Sequence, residues 1–183
     1  MTGLPKYIHL RLHTEYSLLE GAVRLKKLPG MCKANHMPAI AVTDTNNLFS
    51  ALEFSVLFKD QGLQPISGCQ IDLTFTDKMP EKRSSSNAPI VLLAQNEVGY
   101  KNLMKLSSKM YVQNSVEQVE ISIEQLENYS DGLICLTGGS KGPLGQLILI
   151  FRNQSNTDAQ KLTSIASSFI NLECPFFNLS LHF

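Results

Sequence analysis

Within HLRLHTEYSLLEG, residues 9–21, two histidines, an arginine and two glutamates crowd together. Read as a strand, YIHLRLH puts Ile8, Leu10 and Leu12 on one face and His9, Arg11 and His13 on the other. Two residues apart on one face is the spacing at which an H-x-H pair clasps a metal ion. Arg11 holds the first of those two places, and a permanently protonated guanidinium has no lone pair to give. Two more polar clusters follow apolar runs: Thr43, Asp44, Thr45 and Asn46 after PAIAV, and Cys69, Gln70 and Asp72 in SGCQID. Residue type leaves two readings open at each. A strand-end histidine is a ligand or a hydrogen-bonded structural residue, and Asp-Thr-Asn-Asn is a ligand run or a helix N-cap. TGGSKGPLG lacks the glycine order of a phosphate-binding loop, and no serine–histidine–aspartate order or activated-cysteine motif is visible.

The elements that would position these clusters alternate in type. GAVRLKKLPGMCKANHM reads as a helical region interrupted at Pro29-Gly30, and PAIAVTD as a short strand buried on both faces. NNLFSALEFSVLFKDQG reads as an amphipathic helix carrying Leu48, Ala51, Leu52, Val56 and Lys59 at helical spacing, with Gly62 as its stop. LQPISGCQIDLTFT is a strand, residues 77–88 a polar loop and PIVLLAQ a buried strand. Asn96 caps a helix with Tyr100, Leu103, Met104, Ser107 and Tyr111 on one side, and Ser122 with Gln125 forms a capping box. DGLICLTGG is a strand, PLGQLILIF and TDAQKLTSIASSFIN are helices, and PFFNLSLHF is a last strand. Such alternation predicts an α/β fold with a largely parallel sheet, whose sites gather at the carboxyl ends of the strands.

Composition narrows the function classes. Of 183 residues 43% are hydrophobic and 17% charged, the profile of a globular domain. Sixteen basic residues balance sixteen acidic ones, which argues against adhesion to nucleic acid or anionic membrane by global charge. Cys32, Cys69, Cys135 and Cys174 lie far apart in or beside apolar runs, without C-x-x-C or zinc-finger spacing to His36 or His182. With no signal-peptide pattern and no spanning apolar stretch, they read as free buried thiols of a cytoplasmic protein.

Five stretches occur together in one order: HLRLHTEYSLLEGA, MPAIAVTDTNNLFSALEF, GLQPISGCQIDL, PIVLLAQNEVGYKNLMKLSSKMY and DGLICLTGGSKGPLGQLI. In order and spacing they resemble the N-terminal PHP (polymerase and histidinol phosphatase) domain of bacterial replicative DNA polymerase III alpha subunits. The resemblance runs over nearly the whole chain. It implies a distorted (β/α)₇ barrel, and, in active members, a zinc or manganese cluster that supports phosphoester hydrolysis such as 3′–5′ exonuclease action. The family's H-x-H falls on Arg11 and His13, its LLDG acid on Glu20, the histidine of its TDHGN on Thr45 beside Asp44, and its next glutamate on Gln70. These six positions therefore read as a vestigial metal site without catalytic residues. If any metal binds, its ligands would be His13 and Glu20.

The complete family domain is longer by on the order of 80–100 residues. Residues 1–183 accordingly read as a partial PHP domain with an incomplete barrel, lacking the polymerase palm, fingers and thumb and the magnesium they use. The resemblance implies a scaffold in DNA replication that docks the proofreading exonuclease (epsilon) subunit and the rest of the replicase, touching DNA only indirectly. The alternative is a metal-dependent phosphoesterase or exonuclease with weak zinc or manganese binding. In the scaffold reading, Arg11 replaces the lost cation by pairing with Glu20 or Asp44.

Overall fold

The computed structural model describes residues 7–74, 87–112 and 119–146. The helix and strand expected after residue 156, the rest of the helix begun at Pro143, and Cys174 and His182 lie outside these residues. Among them, strands β1 (Ala39–Val42), β2 (Gln64–Thr74), β3 (Asn87–Ala94), β4 (Ile121–Ser122) and β5 (Leu133–Leu136) form one sheet in the order β1-β2-β3-β5, with β4 beside β2. Helices α1 (Leu28–Ala34), α2 (Ala51–Asp60), α3 (Glu97–Val112) and α4 (Ile123–Asn128) separate them.

The sheet is mixed rather than largely parallel. β1 and β4 pair β2 in parallel, whereas β3 runs antiparallel to both β2 and β5. The sequence between β2 and β3 lacks the apolar pattern that a crossover helix packed on the sheet would need, and parallel pairing of consecutive strands requires such a crossover. β1 is buried throughout, as expected of a strand covered on both faces. Ile40 and Val42 join Leu25, Leu28, Cys32, Phe54 and Phe58 on one side, and Ala41 joins Val91 and Leu93 on the other. A larger core packs Cys69, Ile71, Leu73, Ile90 and Leu92 of the sheet against Leu103, Leu106 and Met110 of α3 and Leu126 of α4.

The expected first strand is an irregular extended segment instead. His9 and Leu12 offer their carbonyls to the amides of Ala41 and Thr43, both at 2.8 Å. Acceptors three apart meeting donors two apart leave one extra residue, and the chain bends at Leu10. The bulge turns Leu10 outward (40% exposed), while Leu12 still packs on the α1–α2 core. Nor does Pro29-Gly30 interrupt α1: Pro29 occupies its first turn, where an amide hydrogen would lack an intrahelical partner anyway.

Both long amphipathic helices are rotated from the expected stripe. α2 buries Ala51, Phe54 and Phe58, and leaves Leu52 and Val56 76% and 53% exposed. The helix carries apolar residues on two sides, and burying two phenylalanine rings removes more apolar area from water than burying Leu52 and Val56. α3 buries Gly99, Asn102, Leu103, Leu106 and Met110, so Met104 and Tyr111 face out. Its Asn96 cap forms as read, with Asn96 Oδ1 accepting from Gly99 N at 2.9 Å. The Ser122–Gln125 capping box closes in both directions, and Gly62 ends α2 at φ 68°. No helix among the described residues is long and apolar enough to cross a membrane.

The rotation of α2 predicts unequal substitutions. Phe58→Ala should lower unfolding free energy by about 3–5 kcal/mol, whereas Leu52→Ala should change it by no more than about 0.5 kcal/mol in urea denaturation. Equal losses would place the wrong face of α2 in the core.

Candidate functional site

Parallel pairing with β2 does not stop where β1 ends. The register that joins Ala39 to Gln64 also joins Thr45 to Gln70, with Gln70 N donating to Asp44 O (3.1 Å) and Asn46 N to Gln70 O (2.7 Å). Asn46 then adopts φ 56°, a left-handed conformation that asparagine tolerates, and the run ends there. This extension places the second and third polar clusters side by side. The N-terminal segment brings the first: Thr43 Oγ1 accepts from Leu12 N at 3.0 Å.

Asp44, 1% exposed, anchors the assembly. Its carboxylate accepts from Thr14 N (2.7 Å), Thr14 Oγ1 (2.8 Å to the nearer oxygen), Ser17 Oγ (2.7 Å) and Ser50 Oγ (2.6 Å). The Asp-Thr-Asn-Asn run is therefore no N-cap. α2 starts after Ser50, which caps nothing with its side chain, and Asn47 Oδ1 instead takes the amide of Phe49 at 3.1 Å. Gly21 closes the 14–21 loop on itself, since a Cβ there would lie 2.0 Å from the carbonyl oxygen of Thr14.

Arg11 pairs with neither Glu20 nor Asp44. Its Nε and Nη2 both donate to Gln70 Oε1, at 2.9 and 2.6 Å. The acids are taken by other partners: Asp44 by the four donors above, and Glu20 by the Thr45 hydroxyl and by His13, whose Nδ1 lies 3.6 Å from Glu20 Oε2. With the Thr45 hydroxyl donating to Glu20, His13 Nδ1–H is the donor in the 3.1 Å contact to Thr45 Oγ1. All six residues anticipated at this site thus meet around the ends of β1 and β2. Glu15 leaves the cluster and accepts from Leu25 N at 3.4 Å. Cys69 lies on the opposite side of β2 from Gln70 and donates to the carbonyls of Asp44 and Asn47, and burial pushes its thiol up to about 12. Asp72 keeps to the Gln70 side, its amide 3.3 Å from Asn46 Oδ1, and burial raises its pKa.

Thr14, Ser17 and Ser50, the hydroxyls that satisfy Asp44, were not singled out by motif. A buried acid with no nearby lysine needs neutral donors, and TEYS and FSA supply them at the right distance along the chain. Their arrangement is not that of a nucleophile. Ser17 is 2% exposed and gives its proton to Asp44 directly, while its 3.5 Å contact with His13 is the longer one.

Burial, and secondarily the charge of Arg11, lower the His13 pKa, against the opposing pull of Glu20 and Asp44. The unfolded chain therefore binds more protons than the folded one below the ordinary histidine value. The stability owed to neutral His13 is complete above pH ~6.5 and is lost as pH falls below it. His13→Gln should shrink the difference in melting temperature between pH 7.5 and pH 5, and an unchanged difference would rule out this titration as a contributor.

The family model described as the PHP domain matches residues 9–173. A DNA polymerase III subunit alpha from Campylobacter jejuni is 41% identical over 139 residues, covering 76% of this chain and 12% of that protein. The Borreliella burgdorferi DNA polymerase III subunit alpha is 38% identical over 155 residues, covering 83% and 14%. A solved amidohydrolase from Chromobacterium violaceum aligns at TM-score 0.43 and 16% identity over 56% of this chain and 32% of its own. The chain thus spans only a small part of the length of the curated relatives it matches. It belongs to the PHP domain family, and is a PHP domain of the kind carried by DNA polymerase III alpha subunits.

Proposed function

We propose that this PHP domain serves DNA replication as a scaffold of the replicative polymerase and a docking platform for its proofreading exonuclease subunit, with a metal site replaced by hydrogen bonds. The observation that carries this reading is the Arg11–Gln70 contact, 2.6 and 2.9 Å long, between two positions where the family places ligands. A guanidinium cannot ligate a cation, and the Gln70 oxygen already accepts two of its hydrogens. Thr45 brings a neutral hydroxyl in place of an imidazole, and both oxygens of Asp44 are occupied by Thr14, Ser17 and Ser50. His13 and Glu20 remain, two donors where a metal cluster needs several. The residues present do not fit the family's metal cluster, and no hydrolytic step is derived through it.

The adjacency of His13 and Glu20 favours the second reading, a weak zinc or manganese site with residual phosphoesterase action. Two measurements on the full chain separate the readings. Elemental analysis after purification without added metal should find zinc and manganese far below one per chain, and immobilised chain should retain the purified exonuclease subunit. Near-stoichiometric metal would favour the phosphoesterase. Failure to retain the subunit would remove the docking role.

A further inference from the structure

Helix α3 carries Lys101, Lys105 and Lys109 at successive intervals of four. That spacing sets them on one helix face, about 6 Å apart along the axis. Lys101 is held by Glu97 at 2.6 Å. Lys105 and Lys109 turn instead toward one aromatic ring, their ammonium groups 5.6 and 5.3 Å from the centroid of Tyr129. The ion pairs among the described residues are Lys101–Glu97 and His13–Glu20, so neither of these two lysines pairs with a described carboxylate, although α4 carries Glu124 and Glu127. Ser108 and the 41% exposed Met104 complete a groove of about 430 Å³ with the three lysines and Tyr129.

We infer that this groove binds the backbone of single-stranded nucleic acid. Two ammonium groups drawn to one ring repel each other, and an anion between them relieves that repulsion. Cation–π contact with the half-buried ring of Tyr129 holds each ammonium group only weakly, which leaves both free to turn to a phosphate. A row of cations with an interleaved aromatic ring is the arrangement that tracks a strand's phosphates while offering a base a surface to stack on. An acidic peptide would satisfy the charges equally, but a ring and a thioether set among lysines suit stacked bases better than carboxylates. The neutral net charge of the chain is no obstacle, because three lysines stand together at this groove. The inference stands apart from the reading of the strand-end site and shares no residue with it.

The test is fluorescence anisotropy of a labelled thymidine oligonucleotide of about 20 residues with the full chain, across a salt series. Wild-type chain should bind at low salt. The double variant Lys105→Gln/Lys109→Gln should bind at least about tenfold more weakly, and its log–log salt slope should fall by about 1.4, the loss of two phosphate contacts on a single strand. Lys26→Gln/Lys59→Gln removes the same charge from exposed positions on other elements and should bind as wild type does. Both double variants should still melt cooperatively, so that a loss of binding reports the groove and not unfolding. No binding at low salt, or equal weakening by both double variants, would overturn the proposal. Tighter binding of polyglutamate than of the oligonucleotide would also overturn it and assign the groove to an acidic protein segment.

Discussion

One buried carboxylate ties the strand ends together. Asp44 sits where β1 gives way to the loop before α2, and four uncharged donors from two separate stretches converge on it. Its backbone carbonyl also accepts from Gln70 N, which joins the same residue to β2. Taking a carboxylate out of water costs several kcal/mol, and only a full set of hydrogen bonds offsets that. The requirement fixes the loop of residues 14–17, the start of α2 and the extension of β1 against β2 at once. Everything placed around the strand ends depends on that convergence.

Given that frame, the polar groups above Asp44 have little freedom. Arg11 and His13 reach the same place because they stand two residues apart beyond the bulge at Leu10, and Thr45 and Gln70 because they pair in register. A cation cluster would hold such positions together through shared ligands. Here a guanidinium–amide contact and a histidine–threonine–glutamate chain join them directly. In the proposed role of support and docking, such direct contacts would hold the strand-end surface in place of a metal ion.

Much of this was legible beforehand, and the misses have physical causes. Strand alternation and five collinear motifs picked out six residues that the fold brings together at the strand ends, because local period and order survive in any fold of the family. The partner of Arg11 was not legible: Gln70 lies 59 residues away, and charge alone pointed to Glu20 or Asp44. Desolvation decided otherwise, since Asp44 is sealed beneath neutral donors. The buried faces of α2 and α3 were misread because each helix has apolar residues on more than one side, and packing partners, not periodicity, choose among them. The antiparallel return of β3 fits the polar loop between two successive strands, which the strand–helix alternation elsewhere outweighed in the expectation of a largely parallel sheet.

The central claim is that a hydrogen-bonded contact between Arg11 and Gln70 now joins the positions that a metal would bridge. A double-mutant cycle with Arg11→Ala and Gln70→Ala, read by urea denaturation, measures that contact most directly. With Arg11 exposed, the account predicts a favourable coupling of about 0.5–1.5 kcal/mol. Strictly additive effects of the two substitutions would contradict it.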